Sequence, residues 1–338
     1  MITFPFVSLF SFILFFGSMI SFSSSHWFGV WVGLEVNLMG FIPLMIYNGS
    51  SQEVESGMKY FLVQALGSGM VLFGGLGFYK YCGSWEMSGM AVSVYSSIMM
   101  FGLLLKMGVA PFHFWLPAVM AGLSWMANGI LVTWQKLVPL FLLYSFFSFS
   151  SILLLGVCFA SSFFGGVGGM NQTSIRALLA YSSIVHLGWL KASSKLSGFV
   201  CIIYFFIYFL LSVMIFYSLW NKEFSGGNQM ESVFSWSGSD QQVFCLLFLS
   251  LAGLPPLVGF VGKWLVLNLL LGLDWFFLCF VLIIGSLLSL YYYLILSFSV
   301  GLSVPEDKNV FIFGNKLKSL MLVVNLMGGG LILWMFSS

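Results

Sequence analysis

Long apolar runs separated by short polar breaks dominate this chain, and each run is close to the roughly 20 residues that a helix needs to cross a bilayer. By that ruler eleven spans are expected, near 2–22, 26–47, 58–80, 90–125, 128–148, 151–168, 173–191, 198–220, 243–271, 275–300 and 319–336. Polar connections are expected at Asn48–Gly57, Asn221–Gln242 and Val304–Lys318. Two spans are interrupted. Gly108-Val-Ala-Pro111 stands inside the fourth, and Gly253-Leu-Pro-Pro256 inside the ninth. Proline removes a backbone hydrogen bond and breaks a helix. Irregular backbone at membrane depth is tolerated only where it is buried or lines a wet cavity. Broken helices at corresponding places in two halves mark inverted-repeat transporters. The expected architecture is therefore all-α and integral to the membrane. It comprises a first five-helix repeat over 1–149, with its broken helix at 90–125, and a second over 150–300, with its broken helix at 243–271. A loop and last transmembrane helix follow over 301–338.

Composition narrows the class. Of 338 residues, 60% are hydrophobic and only 7% charged, against about 25% charged in ordinary soluble domains. That is too little charge to cover a water-facing surface. The net charge of +2 provides no field suited to nucleic acid. Cys82, Cys158, Cys201, Cys245 and Cys279 form no CxxC or zinc pattern; they read as small apolar residues, with no iron–sulfur or thiol redox centre in this chain. Met1–Phe22 lacks the basic n-region of a signal peptide and reads as a retained span. The glycines at 165, 166, 168 and 169 fail phosphate-loop spacing because Asn171 takes the last place; close helix packing is the better reading. Loop charge is weakly asymmetric. Arg176, Lys222, Lys308, Lys316 and Lys318 fall on the N-terminal side, and Lys80, Lys191 and Lys195 on the other, which places the N-terminus on the matrix or cytoplasmic side.

Four charges do not belong to loops. Glu35 lies roughly 14 Å into the second span and Lys136 roughly 12 Å into the fifth. Lys106 closes the first half of the fourth span, and Lys263 follows the double proline of the ninth. A charge at mid-bilayer costs about 2.5–3.5 kcal/mol on insertion scales, so these four must face the bundle interior, water or one another. A proton or ion path explains them; structural ion pairing or snorkelling is the alternative, and snorkelling is the better reading for Lys59. A low-dielectric site disfavours an ammonium and a nearby carboxylate favours it, so a movable Glu35–Lys106 pair can load and release a proton. Lys106, Lys136 and Lys263 are expected to connect along one polar axis. His113 and His186 are candidate relays, or else hydrogen-bonded packing residues.

Six stretches carry a resemblance: Trp31–Leu44 (WVGLEVNLMGFIPL), Lys59–Ala65 (KYFLVQA), Leu105–Pro117 (LKMGVAPFHFWLP), Leu131–Pro139 (LVTWQKLVP), Asn171–Trp189 (NQTSIRALLAYSSIVHLGW) and Leu249–Trp264 (LSLAGLPPLVGFVGKW). In this order they resemble the subunit 2 family of mitochondrial NADH dehydrogenase, antiporter-like membrane subunits of respiratory complex I. The resemblance implies a proton-translocating subunit of the mitochondrial inner membrane, coupled to quinone reduction elsewhere in the complex. NAD, FMN, iron–sulfur clusters and ubiquinone would belong to the rest of that complex, with none in this chain. Neighbouring antiporter-like subunits and membrane lipids would be its partners. On this resemblance Glu35 and Lys106 match the family's Glu–Lys pair, Lys136 its central lysine and Lys263 the lysine of its second broken helix. The chain departs at Ala118, where relatives often carry Glu, and at Ala177, where many carry Lys. A stand-alone cation/proton antiporter and a non-transporting scaffold remain alternatives.

Overall fold

The computed structural model describes residues 3–86, 94–146, 151–223, 236–301, 319 and 321–328. The chain divides into two compact units, residues 1–149 and 150–338.

Unit 1 contains α1 (Thr3–Ser23), α2 (Trp27–Met45), α3 (Ser51–Cys82), α4 (Val94–Met107), α5 (Trp115–Gly122), α6 (Trp125–Val132) and α7 (Trp134–Phe146). Small residues bring α1 and α2 together: a Cβ on Gly33 would lie 2.6 Å from the Ser21 nitrogen, and one on Gly17 2.5 Å from the Asn37 nitrogen. Such contacts let apolar helices pack where lipid offers no hydrophobic drive. α3 begins inside the stretch expected to be a loop. The Ser50 hydroxyl accepts from the Glu53 N–H at 3.2 Å, and Glu53 in turn accepts from the Asn48 backbone and side chain at 3.1 and 3.0 Å. These caps satisfy orphan donors of the first turn and start the helix seven residues earlier than hydropathy indicates. Lys59 pairs with Glu55 at 2.6 Å on the exposed face of this helix.

Unit 2 contains α8 (Ser151–Met170), α9 (Ile175–Leu196), α10 (Gly198–Glu223), α11 (Gly238–Ala252), α12 (Val258–Gly272) and α13 (Phe276–Gly301). The glycine run packs α8 between two neighbours. Cβ atoms on Gly166 and Gly169 would meet Leu288 at 2.7 Å and Tyr292 at 2.6 Å on α13, and one on Gly165 would meet the Tyr181 carbonyl of α9 at 2.9 Å. α11 starts within the polar stretch expected over Asn221–Gln242, because the Ser237 hydroxyl bonds the Asp240 carboxylate at 2.7 Å across its first turn. Among the described residues seven helical segments are long and apolar enough to cross a membrane, one of them formed by α6 and α7 together, and α4 and α12 are shorter apolar pieces. The last expected span, 319–336, and the loop before it fall largely outside the described residues; 321–328 are helical.

Both expected breaks are present, with the same local geometry. α4 ends at Met107, and Gly108 adopts φ +73; α11 ends at Ala252, and Gly253 adopts φ +81. Gly108 N–H donates to Leu105 at 3.1 Å and Val109 N–H to Leu104 at 3.2 Å; Gly253 N–H donates to Ser250 at 3.0 Å and Leu254 N–H to Leu249 at 3.3 Å. This is the Schellman ending, in which a glycine takes the left-handed position. A turn follows in each, Phe112 to Val109 at 2.8 Å and Leu257 to Leu254 at 2.9 Å. Both Ala110–Pro111 and Pro255–Pro256 are cis. Side chains bond the carbonyls of the last helical turn at each break. Trp115 Nε1 donates to Leu105 O at 3.1 Å, Gln64 Nε2 to Lys106 O at 3.2 Å, and Lys263 Nζ to Ala252 O at 2.7 Å.

A third interruption has no proline. The fifth expected span is two helices, α6 and α7, parted at Thr133. Its hydroxyl donates to the Gly129 carbonyl at 2.6 Å, a back-bond that loosens and bends helices. Lys136 follows three residues later, its own N–H donating to Thr133 O at 3.3 Å.

Candidate functional site

In unit 1 the broken helix, the loosened helix, α2 and α3 converge on one small chamber. Its polar lining is Asn37 from α2, Tyr60 and Gln64 from α3, Lys106 from α4, and Gln135 and Lys136 from α7; Leu131 of α6 and Trp115 and Leu116 of α5 close it. The enclosed space is about 20 Å³, enough for a water molecule, which needs about 10–15 Å³ and two or more polar partners. Lys106 and Lys136 are 7% and 2% exposed. The sequence separates them by 30 positions; the fold makes them walls of one chamber.

The surrounding contacts fix that arrangement. Gln64 ties α3 to the last turn of α4 through Lys106 O, and Gln135 Nε2 donates to Asn37 Oδ1 at 3.1 Å, tying α7 to α2. Gly67 brings α3 against the Lys106 stem, since a Cβ there would lie 2.9 Å from Lys106 Cγ. Asn128 Nδ2 donates to Met120 O at 3.0 Å, joining α6 to α5. Glu35 on α2 is half-buried and lies within electrostatic reach of Lys106. Among the described residues the two do not close to an ion pair within 4.0 Å. His113 sits in the first break, 3% exposed, with Nδ1 3.2 Å from Pro111 O, so one ring nitrogen engages the irregular backbone.

Unit 2 builds a different centre around the second break. Lys263, 6% exposed, folds back beneath Gly253. A Cβ at Gly253 would lie 2.9, 3.0 and 3.1 Å from Lys263 Cδ, Nζ and Cε. Glycine is therefore required there twice, by φ and by the lysine's approach. Lys263 Nζ also lies 5.9 Å from the Trp189 ring centre, within cation–π range. His186 on α9 is buried, with Nδ1 2.9 Å from the Tyr204 hydroxyl. Trp189 and His186 thus share α9, which faces the Lys263 centre.

The fold also places a lysine that hydropathy put at a loop. Lys191 lies within α9 and is 2% exposed, with the Cys158 and Cys201 thiols close enough to interact with it electrostatically. It was misplaced because it ends an apolar run; the signal that could have located it is Ala192-Ser-Ser, small residues that continue the buried face. Among the described residues no cluster of three or more His, Cys, Asp or Glu could hold a metal ion.

Two paired helix breaks, each with a buried lysine, on an all-helical membrane scaffold define an antiporter-type membrane domain. Residues 24–289 match the family described as "NADH:quinone oxidoreductase/Mrp antiporter, TM", and the chain belongs to that family. It is 39% identical over 342 residues to NADH-ubiquinone oxidoreductase chain 2 of Anopheles gambiae, covering 96% of each chain. It is also 39% identical over 291 residues to the Xenopus laevis protein of the same name, covering 85% of this chain and 84% of that one. In solved structures the fold matches a chain of respiratory complex I from Thermus thermophilus with a TM-score of 0.81 at 23% identity, over 96% of this chain and 76% of that one. A chain of the Mrp complex from Dietzia matches with a TM-score of 0.75 at 19% identity, over 90% and 62%.

Proposed function

We propose that this chain is a proton-translocating membrane subunit of an NADH:ubiquinone oxidoreductase, the respiratory complex I of the mitochondrial inner membrane. Identity to chain 2 proteins along nearly the whole length supports the assignment to that complex. The observation that carries the translocation reading is the chamber in which Lys106 and Lys136 share a water-sized space among six helices, α2 to α7. The shared space lets a proton held by one lysine reach the other through an intervening water. Charge on Lys106 is favoured while Glu35 is near. If Glu35 or Lys106 moves away, the proton passes through the chamber to Lys136. Gln64, Gln135 and Asn37 supply the hydrogen-bonding groups that hold a bridging water. In unit 2, Lys263 serves as a second protonatable centre, docked on the Ala252 carbonyl that the helix break frees. His113 and His186 are relay candidates of unequal standing: His113 engages the break through Pro111, whereas His186 adjoins the Lys263 centre through Tyr204.

The catalytic activity belongs to the whole complex. NADH, FMN, iron–sulfur clusters and ubiquinone act in other subunits, and this chain contributes proton movement. Neighbouring antiporter-like subunits and lipid cover its exposed apolar faces, such as Phe12 and Phe16 of α1 at 66% and 53% exposed. The family profile spans antiporters as well, so a stand-alone cation/proton antiporter is the second reading. Detergent extraction separates the two. The chain must co-purify with NADH:ubiquinone reductase activity in a large assembly, and recovery as an isolated exchanger would contradict the assignment.

A further inference from the structure

Unit 2 holds a cluster of buried hydroxyls that neither the break nor the lysine requires. Tyr204 and Tyr208 on α10 are each 4% exposed, and Tyr292 and Tyr293 on α13 are 3% and 0% exposed. Ser182 and Ser183 of α9 are equally buried. A hydroxyl buried in an apolar interior costs free energy unless it is hydrogen-bonded, and phenylalanine, abundant in this chain, would pack as well.

The hydroxyls form a sequence in space. His186 Nδ1 lies 2.9 Å from Tyr204 Oη, and its ring is 4.8 Å from that of Tyr208. Tyr208 lies near Ser183 and within electrostatic reach of Tyr293. Tyr293 faces Ser182, and the Tyr292 ring lies 4.9 Å from the Tyr293 ring. The serines' own protons are committed to α9, Ser182 donating to Leu179 O at 2.8 Å and Ser183 to Ala180 O at 2.7 Å. Their oxygens retain the capacity to accept from a neighbouring hydroxyl or water. Tyr292 and Tyr293 have no hydroxyl partner within 3.5 Å; buried polar groups at such spacing are met by ordered water. At the other end the Tyr204 ring stacks on Trp189 at 6.4 Å, and the Trp189 ring lies 5.9 Å from Lys263 Nζ.

The sequence of groups also runs along the length of α8. α8 and α13 lie side by side, with Ser162 against Gly285, Gly166 against Leu288 and Gly169 against Tyr292. Tyr292 is therefore level with the last turn of α8, next to the polar connection 171–174. His186 lies deeper. Its neighbour Val185 packs at Gly165, and Gly188 packs at Ser161, four to eight residues below Gly169, or roughly 6–12 Å at helical rise.

We propose that Tyr292, Tyr293, Tyr208, Tyr204 and His186 form a proton relay that joins the Lys263 centre to the aqueous face at the α8–α9 connection, with Ser182 and Ser183 as positioning residues. The inference rests on Lys263 being a protonatable station, as argued above. Each hydroxyl takes a proton on its oxygen from the neighbour on one side and releases its own to the neighbour on the other, the imidazole of His186 does the same between its two nitrogens, and water bridges the last gap between Tyr204 and Lys263, because the Trp189 ring carries no proton. Every tyrosine ends neutral. The net change is one proton lost from water at the connection and one gained at Lys263, or the reverse.

The test uses the assembled complex in sealed vesicles, reading NADH-driven proton uptake and redox turnover together, in H₂O and D₂O. The double variant Tyr208→Phe/Tyr293→Phe keeps both rings and removes two hydroxyls. Coupled turnover is expected to fall about tenfold or more, with an altered solvent isotope effect, while Tyr291→Phe at a 51% exposed position changes neither. Ser182→Ala/Ser183→Ala tests the same route should the phenylalanine pair fail to assemble. A packing role would lower the yield of complex but not the protons moved per NADH. Wild-type pumping and isotope effect in either double variant overturn the relay. Lys263→Met, measured in parallel, separates the claims. If it blocks pumping while the tyrosine pair does not, only the relay fails; if it pumps normally, the station at Lys263 fails and the relay with it.

Discussion

Gly253→Ala perturbs the second centre through a single methyl group. The residue holds φ +81, a conformation that costs an L-residue about 1–2 kcal/mol. The new Cβ would stand 2.9–3.1 Å from three atoms of Lys263, so the lysine must leave the Ala252 carbonyl that it bonds at 2.7 Å. A hydrogen bond from a charged group is worth about 1.5–3 kcal/mol. The two costs together come to about 2.5–5 kcal/mol, and the second alone depletes the docked lysine by roughly ten- to hundredfold. Gly83→Ala is the matched control, because Gly83 has φ +73 with nothing within 4 Å of its Cβ position. It incurs the backbone cost and leaves Lys263 untouched. Complex assembly on native gels and NADH-driven proton pumping in vesicles are the assays. Gly253→Ala should assemble less and pump at least tenfold more slowly per assembled complex than Gly83→Ala. Equal pumping per complex would refute the claim that the break exists to dock Lys263.

Further outcomes follow from the same geometry. Glu35→Gln, Lys106→Met and their double variant should all lose pumping if the pair is a switch; a double variant that pumps normally would show a structural staple, since apolar replacement of both partners relieves a buried ion pair. Lys191→Met should assemble as well as wild type, because methionine of similar length fills the space between α8, α9 and α10 without a buried ammonium; loss of the complex on native gels would contradict this. Thr133→Val should straighten the α6–α7 junction and slow pumping several-fold without loss of assembly, and unchanged pumping would remove the junction from the account.

The broken helices were legible because glycine and proline act through the backbone, and Gly108, Pro111, Gly253 and Pro256 announce themselves at the level of φ and a missing donor. The buried charges were legible because a charge in an apolar run has no cheap explanation, which singled out Lys106, Lys136 and Lys263. What the pattern could not supply was convergence. Nothing local says that Gln64 reaches the carbonyl of Lys106, or that Gln135 meets Asn37 across 98 positions. The Thr133 interruption was hidden because threonine is ordinary inside an apolar helix and only its 2.6 Å back-bond marks it. Lys191 was hidden because hydropathy cannot tell a lysine that ends a span from one buried within a longer helix. The tyrosines escaped notice for a related reason: in a chain with 39 phenylalanines and 13 tyrosines, aromatic side chains read as packing or interface residues, and only contacts distinguish a relay from filler.

Lys136→Met in the assembled complex tests the central claim most directly. The substitution preserves side-chain length at a 2% exposed position and removes only the protonatable group from the chamber shared with Lys106. Proton uptake by sealed vesicles, normalised to the amount of assembled complex and to electrons delivered from NADH, should collapse while assembly is retained. Wild-type proton uptake in a fully assembled Lys136→Met complex would contradict proton translocation through this chamber.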